Sequence, residues 1–338
     1  MSLTTADWLP YRLALRRPWQ TARGLLDERV GILLRLTTED GLTGWGDAAP
    51  LPEFGISEAA ALAFAEECAQ LDLAAQRAGL SLAAWLSGAA PVESVAVNAV
   101  SGPLFSLSGE QIAESVGARF SVIKVKVGID PVVDELRQLK HLSSTLPAGI
   151  LWRLDANGAW SLADAVTFIA GCRDLPVEGL EEPLRDPELA TLRELQANAA
   201  FPLAIDESTQ LINEDFWTSP PVRRLIIKPA RNGGLLASVA LALRAQMLGV
   251  ECVLTSSLES ACGLIACAQL AAVIAPQATH GLATAEWLAN DTGRTPRLAG
   301  GRLYLPAQTG LGFIPDFPGR LHSFPTRRSS DLSEERRV

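Results

Sequence analysis

Eight short apolar runs, separated by segments of helical pattern, constrain the fold of this chain more than any other feature. Their starts are spaced by roughly 23 to 30 residues, the length that a strand, a covering helix and two short loops require. The runs are residues 92–100, 120–128, 150–158, 177–183, 201–208, 224–230, 251–257 and 279–285. This rhythm predicts an α/β fold, a (β/α)8 TIM-like barrel over residues 92–299. Tandem solenoid repeats have a similar period, but these units share no repeated signature residues.

The first 91 residues follow a different plan. Residues 11–19 and 29–50 alternate apolar and polar side chains like two or three antiparallel strands, with "EDGLTG" as a turn. Residues 57–86 are rich in Ala, Leu and Glu, as helices are. We therefore expect an α+β capping domain over residues 1–91, completed by a C-terminal strand within residues 300–320 that returns to it.

The end of the chain departs abruptly in composition. The stretch "SFPTRRSSDL" resembles the translation of a sequencing-library adapter more than a protein element. We interpret residues 323–338 as an artefactual or disordered tail and exclude them from the fold.

Composition restricts the possible partners. The 29 Lys and Arg residues are outnumbered by 38 Asp and Glu residues, giving a net charge of −9 that is mixed along the chain, so nucleic acid is not expected. The longest apolar run, from Ala261, contains Gln269 and falls short of the roughly 20 residues that cross a bilayer. The five cysteines follow no C-x-x-C spacing, and the first residues lack an export signal. We expect a cytoplasmic protein with no membrane span; the residues do not determine its oligomeric state.

Ionisable residues fall near the ends of the apolar runs, where the open mouth of a barrel carries its chemistry. They are Lys124 and Lys126 in the second run, Asp155 in the third, Glu181 and Glu182 in the fourth, Asp206 and Glu207 in the fifth, and Lys228 in the sixth. Each acid alone could cap a turn or be solvated, but acids in three consecutive strands, flanked by lysines, indicate a shared site. Without nearby His or Cys, such carboxylates favour a hard cation such as Mg2+.

The second run, "VIKVKVG", places two lysines in an apolar strand. Alternation puts Lys124 and Lys126 on one face and the aliphatic residues on the other, so both lysines should point into the barrel. An edge strand with solvated lysines is the alternative, and it fits poorly where both faces are covered. A lysine facing a divalent cation can remove a proton next to a carboxylate, because the cation offsets the charge of the enediolate. Lys228 could then act as acid, second base or cation over a π-system.

Five motifs, "IKVKVG", "LDANGAW", "LEEPL", "AIDES" and "IIKPARNGG", occur in this order, and the match extends from about residue 11 to 316. In this pattern the chain resembles the enolase superfamily, in its muconate-lactonizing subgroup. Within the subgroup it is most similar to the o-succinylbenzoate synthase family, on the evidence of "GWGDAAPLPEFGISE", "WRLDANGAW" and "LTSSLESACGL". It departs from the pattern at Asp47, where glutamate is expected.

The resemblance implies roles for the ionisable residues. The implied Mg2+ ligands, with Mn2+ as a possible substitute, are Asp155, Glu181 and Asp206. Lys126 is implied as the base that takes the proton α to the carboxylate and then as the acid that helps the hydroxyl leave. Lys124 is implied to orient Lys126, and Lys228 to stabilise the enediolate by cation–π contact.

The resemblance also implies contacts to a small-molecule carboxylate substrate. The implied substrate-binding residues are Arg153, Asn157, Ser256, Ser257 and Gly281, while Glu207, together with Asn157, is implied to support the metal ligands through hydrogen bonds. The two serines precede a helix whose N-terminus could receive an anion, although an ordinary N-cap is an equally good interpretation. Loops around Arg23 and Phe54 are implied to fold over the mouth.

The implied reaction is the syn-dehydration of 2-succinyl-6-hydroxy-2,4-cyclohexadiene-1-carboxylate to 2-succinylbenzoate, a step of menaquinone or phylloquinone biosynthesis. N-acylamino acid racemase or dipeptide epimerase activity, with Lys126 and Lys228 as opposed bases, is the alternative. Dipeptide epimerases typically carry Asp-x-Asp at the eighth strand, which "HGLATAEW" lacks. A non-catalytic barrel would be expected to have lost a ligand or the base, and none is missing.

Overall fold

The computed structural model describes residues 3–21 and 24–316, so the tail predicted at residues 323–338 lies outside the described residues. Three antiparallel strands in the order β1-β2-β3 form the cap sheet: β1 (Leu3–Thr21), β2 (Gly24–Thr38) and β3 (Thr43–Ala48). Helices α1 (Glu58–Arg77) and α2 (Leu82–Ser87) follow. Gly44 and Gly46 of β3 let α1 approach closely, since a Cβ at Gly46 would lie 1.9 Å from the Ala65 carbonyl oxygen.

Each of the eight apolar runs contains a strand. The first run is divided at Asn98 into β4 (Ser94–Val97) and β5 (Ala99–Pro103), and the others give β6 (Val122–Lys126), β7 (Leu151–Asp155), β8 (Val177–Glu181), β9 (Leu203–Ile205), β10 (Arg224–Ile227), β11 (Glu251–Leu254) and β12 (Thr279–His280). Strands β5 to β11 form one parallel sheet in chain order.

Helices lie between the barrel strands: α3 (Gly109–Gly117), α4 (Val132–Ser144), α5 (Leu162–Gly171), α6 (Leu189–Asn198), α7 (Glu214–Thr218), α8 (Leu235–Met247) and α9 (Ala261–Ile274). Along α9 nearly every side chain is buried, as predicted for this apolar run. In the described part of the chain, none of the helices has both the length and the apolar character needed to span a membrane.

Strand β12 closes the barrel by joining β4 to the end of β11. This strand pairs in parallel with β4, and the Gly281 N–H donates to the Leu254 carbonyl oxygen at 2.8 Å on the other side. The buried His280 ring stabilises this closure: Nδ1 accepts from the Leu254 N–H at 3.1 Å, and Nε2 lies 3.0 Å from the Ala275 carbonyl oxygen. Burial lowers the pKa of His280 to about 4, so the ring is neutral at pH 7. The predicted (β/α)8 barrel with a capping domain is confirmed.

The C-terminal strand pairs differently from expectation. Strands β13 (Leu298–Ala299) and β14 (Arg302–Tyr304) form a hairpin, and β14 pairs antiparallel with β4 of the barrel rather than with the cap sheet. The cap is reached by the segment that follows: the Leu311 N–H donates to Asp72 at 2.7 Å, and the Leu82 N–H donates to the Gly310 carbonyl oxygen at 2.7 Å. We propose that the capping domain and the barrel meet between residues 91 and 92, in the segment that joins α2 to β4.

A buried ionic network lies toward the N-terminal ends of the barrel strands, where Arg224 begins β10 and Glu251 begins β11. Glu178 accepts from Arg153 at 2.9 and 3.0 Å and from Arg224 at 2.8 Å, and Arg224 also donates to Glu251 at 2.7 Å. Burial opposes the ionisation of Glu178, but the Arg153 and Arg224 guanidiniums outweigh it and lower the pKa of Glu178 to about 2. The ionised carboxylate therefore stabilises the fold.

The Glu178 network predicts a pH-dependent stability. Because the folded pKa is depressed, this contribution is fully present above the ordinary glutamate pKa and is lost as the pH falls from about 5 to about 2. We expect the unfolding free energies of wild type and Glu178→Gln to differ by about 3 kcal/mol at pH 7 and to converge near pH 2, as measured by urea unfolding. Glu251→Gln, whose side chain is 55% exposed, is the milder control. A difference that is equal at pH 7 and pH 3 would contradict this account.

Candidate active site

A cavity of about 400 Å3 lies at the C-terminal ends of the barrel strands, beneath the cap. Trp19 and Phe54 of the cap contribute to its wall. The predicted site residues that line it are Lys124, Lys126, Asp155, Asn157, Asp206, Glu207, Lys228, Ser256 and Gly281. Phe54 thus lies where its loop was expected, whereas Arg23 lies outside the described residues.

Strand register aligns three of the charged residues. Lys126 of β6 is the register partner of Asp155 in β7, and Asp155 is the partner of Glu181 in β8. Register partners in parallel strands lie side by side at one height, so a base candidate and two carboxylates form a row. Three of the chain's four lysines line this cavity; the fourth, Lys140, is exposed on α4.

Lys124 lies between the first two carboxylates. Its Nζ is 2.9 Å from Asp155 Oδ2 and 2.5 Å from Glu181 Oε2. Burial opposes the charged form of Lys124, but the carboxylates of Asp155, Glu181 and Asp206 outweigh it and raise its pKa well above the ordinary value. Burial also raises the pKa of Glu181, with Lys124 acting against it. Glu181 Oε1 is buried and accepts no hydrogen bond.

Lys228 and Arg231 hold the third carboxylate. Lys228 Nζ lies 2.5 Å from both carboxylate oxygens of Asp206, and Arg231 donates to Asp206 Oδ1 at 2.9 Å. Burial opposes ionisation of Asp206, but Lys228, Arg231 and Lys124 hold its pKa well below the usual range. The Phe54 ring lies 5.3 Å from Lys228 Nζ, so the cap covers this lysine.

Two strained backbone positions support the carboxylates. Glu182, at φ 41°, is buried, and its carboxylate accepts from the Asp206 N–H at 2.8 Å. Asn157, at φ 45°, donates to Glu207 Oε1 at 3.0 Å. Burial, with the Asp206 and Asp155 charges, raises the pKa of Glu207 to about 8. The support of the metal ligands by Asn157 and Glu207 stays a prediction.

The cavity carboxylates have the donor chemistry of ligands for a divalent cation. In the described ranges, Asp, Glu, His and Cys side chains form no ready cluster of three around one point. Oxygens of Asp155 and Glu181 nevertheless converge on one cation, Lys124 Nζ, and Glu181 Oε1 is an orphaned buried acceptor. An all-carboxylate donor set of this kind suits a hard ion, so the residues fit Mg2+.

The structure does not bring Arg153 into the cavity. Its side chain is fully buried and donates to Glu178, to Asn98 Oδ1 at 3.1 Å and to the Thr279 carbonyl oxygen at 2.9 Å. Arg153 shares the inward face of β7 with Asp155 but lies two residues earlier, about 6.6 Å deeper. It supports Glu181 from below, with Nε 3.8 Å from Glu181 Oε1.

The helix start after the two serines is also not available to an anion. The Ser260 N–H donates to Asp47 at 2.9 Å, and the Ala261 N–H donates to Asp291 at 2.7 Å. Ser256 lines the cavity, but its hydroxyl donates to Glu259 at 2.6 Å. Ser257 is fully buried and does not line the cavity. The expected anion site at α9 therefore differs from the observed arrangement, because carboxylates of the chain already occupy it.

Several cavity residues escaped prediction. Arg231 lies three residues after Lys228 in "IIKPARNGG", and its charge at a strand end was an available signal. Thr255, whose hydroxyl is buried without a partner, and Thr284 line the wall beside Ser256. Trp287 contacts Trp19, with ring centroids 4.3 Å apart and ring planes inclined at 58°. No local sequence pattern predicts that Thr255, Thr284 and Trp287 line the cavity, because only the folded chain brings them together.

The barrel region matches a known protein family. The model of the family described as Enolase C-terminal domain-like matches residues 108–318. The chain belongs to the enolase superfamily. The o-succinylbenzoate synthase of Pectobacterium atrosepticum is 33% identical over 276 residues, covering 77% of this chain and 83% of the relative. The resemblance to this superfamily and to its o-succinylbenzoate synthases is confirmed, and the chain is an enzyme of the superfamily.

Solved structures of the superfamily share the fold at lower identity. The dipeptide epimerase from Enterococcus faecalis V583, complexed with Mg and the dipeptide L-Leu-L-Tyr, has a TM-score of 0.83 at 22% identity, covering 93% of this chain and 100% of that chain. The N-succinyl Arg/Lys racemase from Bacillus cereus ATCC 14579 has a TM-score of 0.83 at 18% identity, covering 94% of this chain and 96% of that chain. At these identities the likeness establishes the fold alone.

Proposed function

We propose that this enzyme is a Mg2+-dependent o-succinylbenzoate synthase acting in the cytoplasm on a small-molecule carboxylate of menaquinone or phylloquinone biosynthesis. The choice of Lys126 as the base rests on its lack of bonded partners. Lys126 stands in the row of Asp155 and Glu181, faces the cavity, and has no hydrogen bond or ion pair to any described residue. Lys124 and Lys228 are both held by carboxylates. Lys126 is therefore the lysine that is available to the substrate.

The residues proposed to hold Mg2+ are Asp155, Glu181 and Asp206. Mg2+, when bound, supplies positive charge beside the oxygens of an enediolate. The dipeptide epimerase structure contains Mg, which supports the choice of ion. Lys124 lies deeper than Lys126 and holds the Asp155 and Glu181 carboxylates in place.

Lys126 carries out both proton transfers. As the free amine it takes the proton α to the carboxylate, and the electron pair of that C–H bond forms the enediolate. The pair then returns to form the ring C=C bond while the C–O bond breaks. The protonated Lys126 gives its proton to the departing hydroxyl on the same face, which leaves as water. Aromatisation of the ring drives this syn-dehydration.

The remaining walls suit the rest of the substrate. Lys228 lies where a cation can face the ring. Phe54 lies over Lys228 and Trp19 lines the same cavity, so these cap residues are proposed to exclude water from the bound ring. The succinyl arm is proposed to lie against the wall formed by the residues that follow β11 and β12, where the Thr255 side chain lines the cavity. Ser256 and Gly281 belong to the same wall.

An N-acylamino acid racemase is the second candidate, because Lys126 and Lys228 both face the cavity from separate strands and could act as two bases. The ion pair of Lys228 with both oxygens of Asp206 favours the single-base dehydration. The test compares the rate of 2-succinylbenzoate formation with the rate at which the α-proton of N-succinyl amino acids exchanges with deuterium. Faster dehydration supports the synthase; exchange without dehydration would replace it with the racemase.

A further inference from the structure

A buried carboxylate of the cap contacts the loop that forms one wall of the cavity. Asp47 of β3 is 1% exposed and does not line the cavity. Its Oδ2 accepts from the Ser260 N–H at 2.9 Å and from the Ser260 hydroxyl at 2.8 Å, and its Oδ1 accepts from the Tyr11 hydroxyl at 2.7 Å. One side chain thus joins two cap strands to the start of α9.

The loop held by Asp47 leads directly to the cavity wall. Glu259, next to Ser260, accepts from the Ser256 hydroxyl at 2.6 Å and from the Ser257 N–H at 2.7 Å. Ser256 Oγ in turn accepts from the Thr284 hydroxyl at 2.8 Å. Asp47 is therefore linked to the wall residues Ser256 and Thr284 by hydrogen bonds and by the peptide bond between residues 259 and 260.

The loop needs this support from outside itself. Leu258 has φ 59°, a left-handed conformation that costs free energy in a residue other than glycine. A second cap residue, the buried Arg29, donates to the Leu258 carbonyl oxygen at 3.0 Å. Gly263 allows the close packing, since a Cβ there would lie 2.9 Å from Asp47 Oδ2. Cap side chains therefore hold the strained loop on both sides of Glu259.

We infer that Asp47 is a positioning residue for substrate binding: through Ser260 and Glu259 it fixes the wall of Thr255, Ser256 and Thr284 against which the succinyl arm lies. This rests on the proposed function and names the part of the substrate that the cap controls. The cavity lysines and the proposed metal ligands lie in β6–β8 or directly after β9 and β10, outside this series of contacts. Loss of Asp47 should therefore weaken binding of the succinyl arm more than it slows the proton transfers.

The test uses three variants of the full chain with Mg2+ present. Asp47→Ala leaves the Ser260 donors and the Tyr11 hydroxyl unpaired. Asp47→Asn keeps the shape, because its amide oxygen can accept from Ser260 while its NH2 group donates to Tyr11. Tyr11→Phe removes only the bond within the cap and is the control for lost stability. Binding of 2-succinylbenzoate and of benzoate, which lacks the succinyl arm, is measured by calorimetry, together with kcat, KM and Tm.

For Asp47→Ala we expect 2-succinylbenzoate to bind about tenfold more weakly, benzoate binding to change less than about twofold, and KM to rise about tenfold with kcat within about threefold. Asp47→Asn and Tyr11→Phe should bind both ligands like wild type, although Tyr11→Phe lowers Tm. Unchanged affinity in Asp47→Ala, or equal losses for both ligands, would overturn the inference. A wild type that binds 2-succinylbenzoate no better than benzoate would overturn the proposed function itself, and the inference with it.

Discussion

Replacing Lys126 with alanine is expected to reduce kcat for dehydration by at least about 10³-fold, because the same amine performs the deprotonation and the protonation of the leaving group. The fold should be retained. Lys126 has no ion pair or hydrogen bond to a described residue, so its removal leaves no buried partner unsatisfied. Circular dichroism and Tm check the fold, and steady-state kinetics check the rate.

Lys140→Ala is the matched control for Lys126→Ala. Lys140 is the only lysine outside the cavity, and it lies exposed on α4. Its replacement should leave kcat and KM within about twofold of wild type. If Lys126→Ala retained more than about a tenth of wild-type kcat, Lys126 could not be the base.

Glu181→Gln is expected to weaken Mg2+ binding by at least about tenfold and to lower kcat by at least about 100-fold. The substitution keeps the shape of the side chain but removes the charge of a fully buried ligand candidate. The protein should still fold, because Lys124 keeps its ion pair with Asp155 at 2.9 Å. Calorimetric titration with MgCl2 measures the affinity, and the dehydration assay measures kcat.

The same strand provides the control for Glu181→Gln. Glu178 lies three residues earlier, pairs with Arg153 and Arg224, and does not line the cavity. Glu178→Gln should lower stability without changing the affinity for Mg2+. Equal Mg2+ affinities in wild type and Glu181→Gln, or equal losses in the two variants, would remove Glu181 from the ligand set.

The spacing of the apolar runs predicted the barrel fold, and charged residues near the ends of these runs predicted that Lys126, Asp155 and Glu181 share one site. Alternation in "VIKVKVG" required Lys124 and Lys126 to share the inward face, and both line the cavity. The resemblance implied a substrate contact for Arg153, but this residue lies two positions before Asp155 on the inward face of β7 and therefore deeper in the barrel. Height along a strand depends on register with its neighbours, and that register places Arg153 level with Lys124 and below the row of Lys126.

Long-range contacts account for what the sequence could not predict. The start of α9 carried the pattern of an anion site, yet Asp47, 213 residues away from Ser260, already binds there. The terminal strand β14 was expected to return to the cap, but it pairs with β4 of the barrel, about 200 residues earlier in the chain. Such contacts join segments remote in sequence, so no local pattern reports them.

The most direct test of the central claim is the initial rate of 2-succinylbenzoate formation from 2-succinyl-6-hydroxy-2,4-cyclohexadiene-1-carboxylate by the wild-type enzyme. We predict dehydration with Mg2+, a fall of at least about 100-fold after chelation, and recovery when Mg2+ is added back. A rate unaffected by chelation, or no 2-succinylbenzoate under any condition, would contradict the proposal of a Mg2+-dependent o-succinylbenzoate synthase.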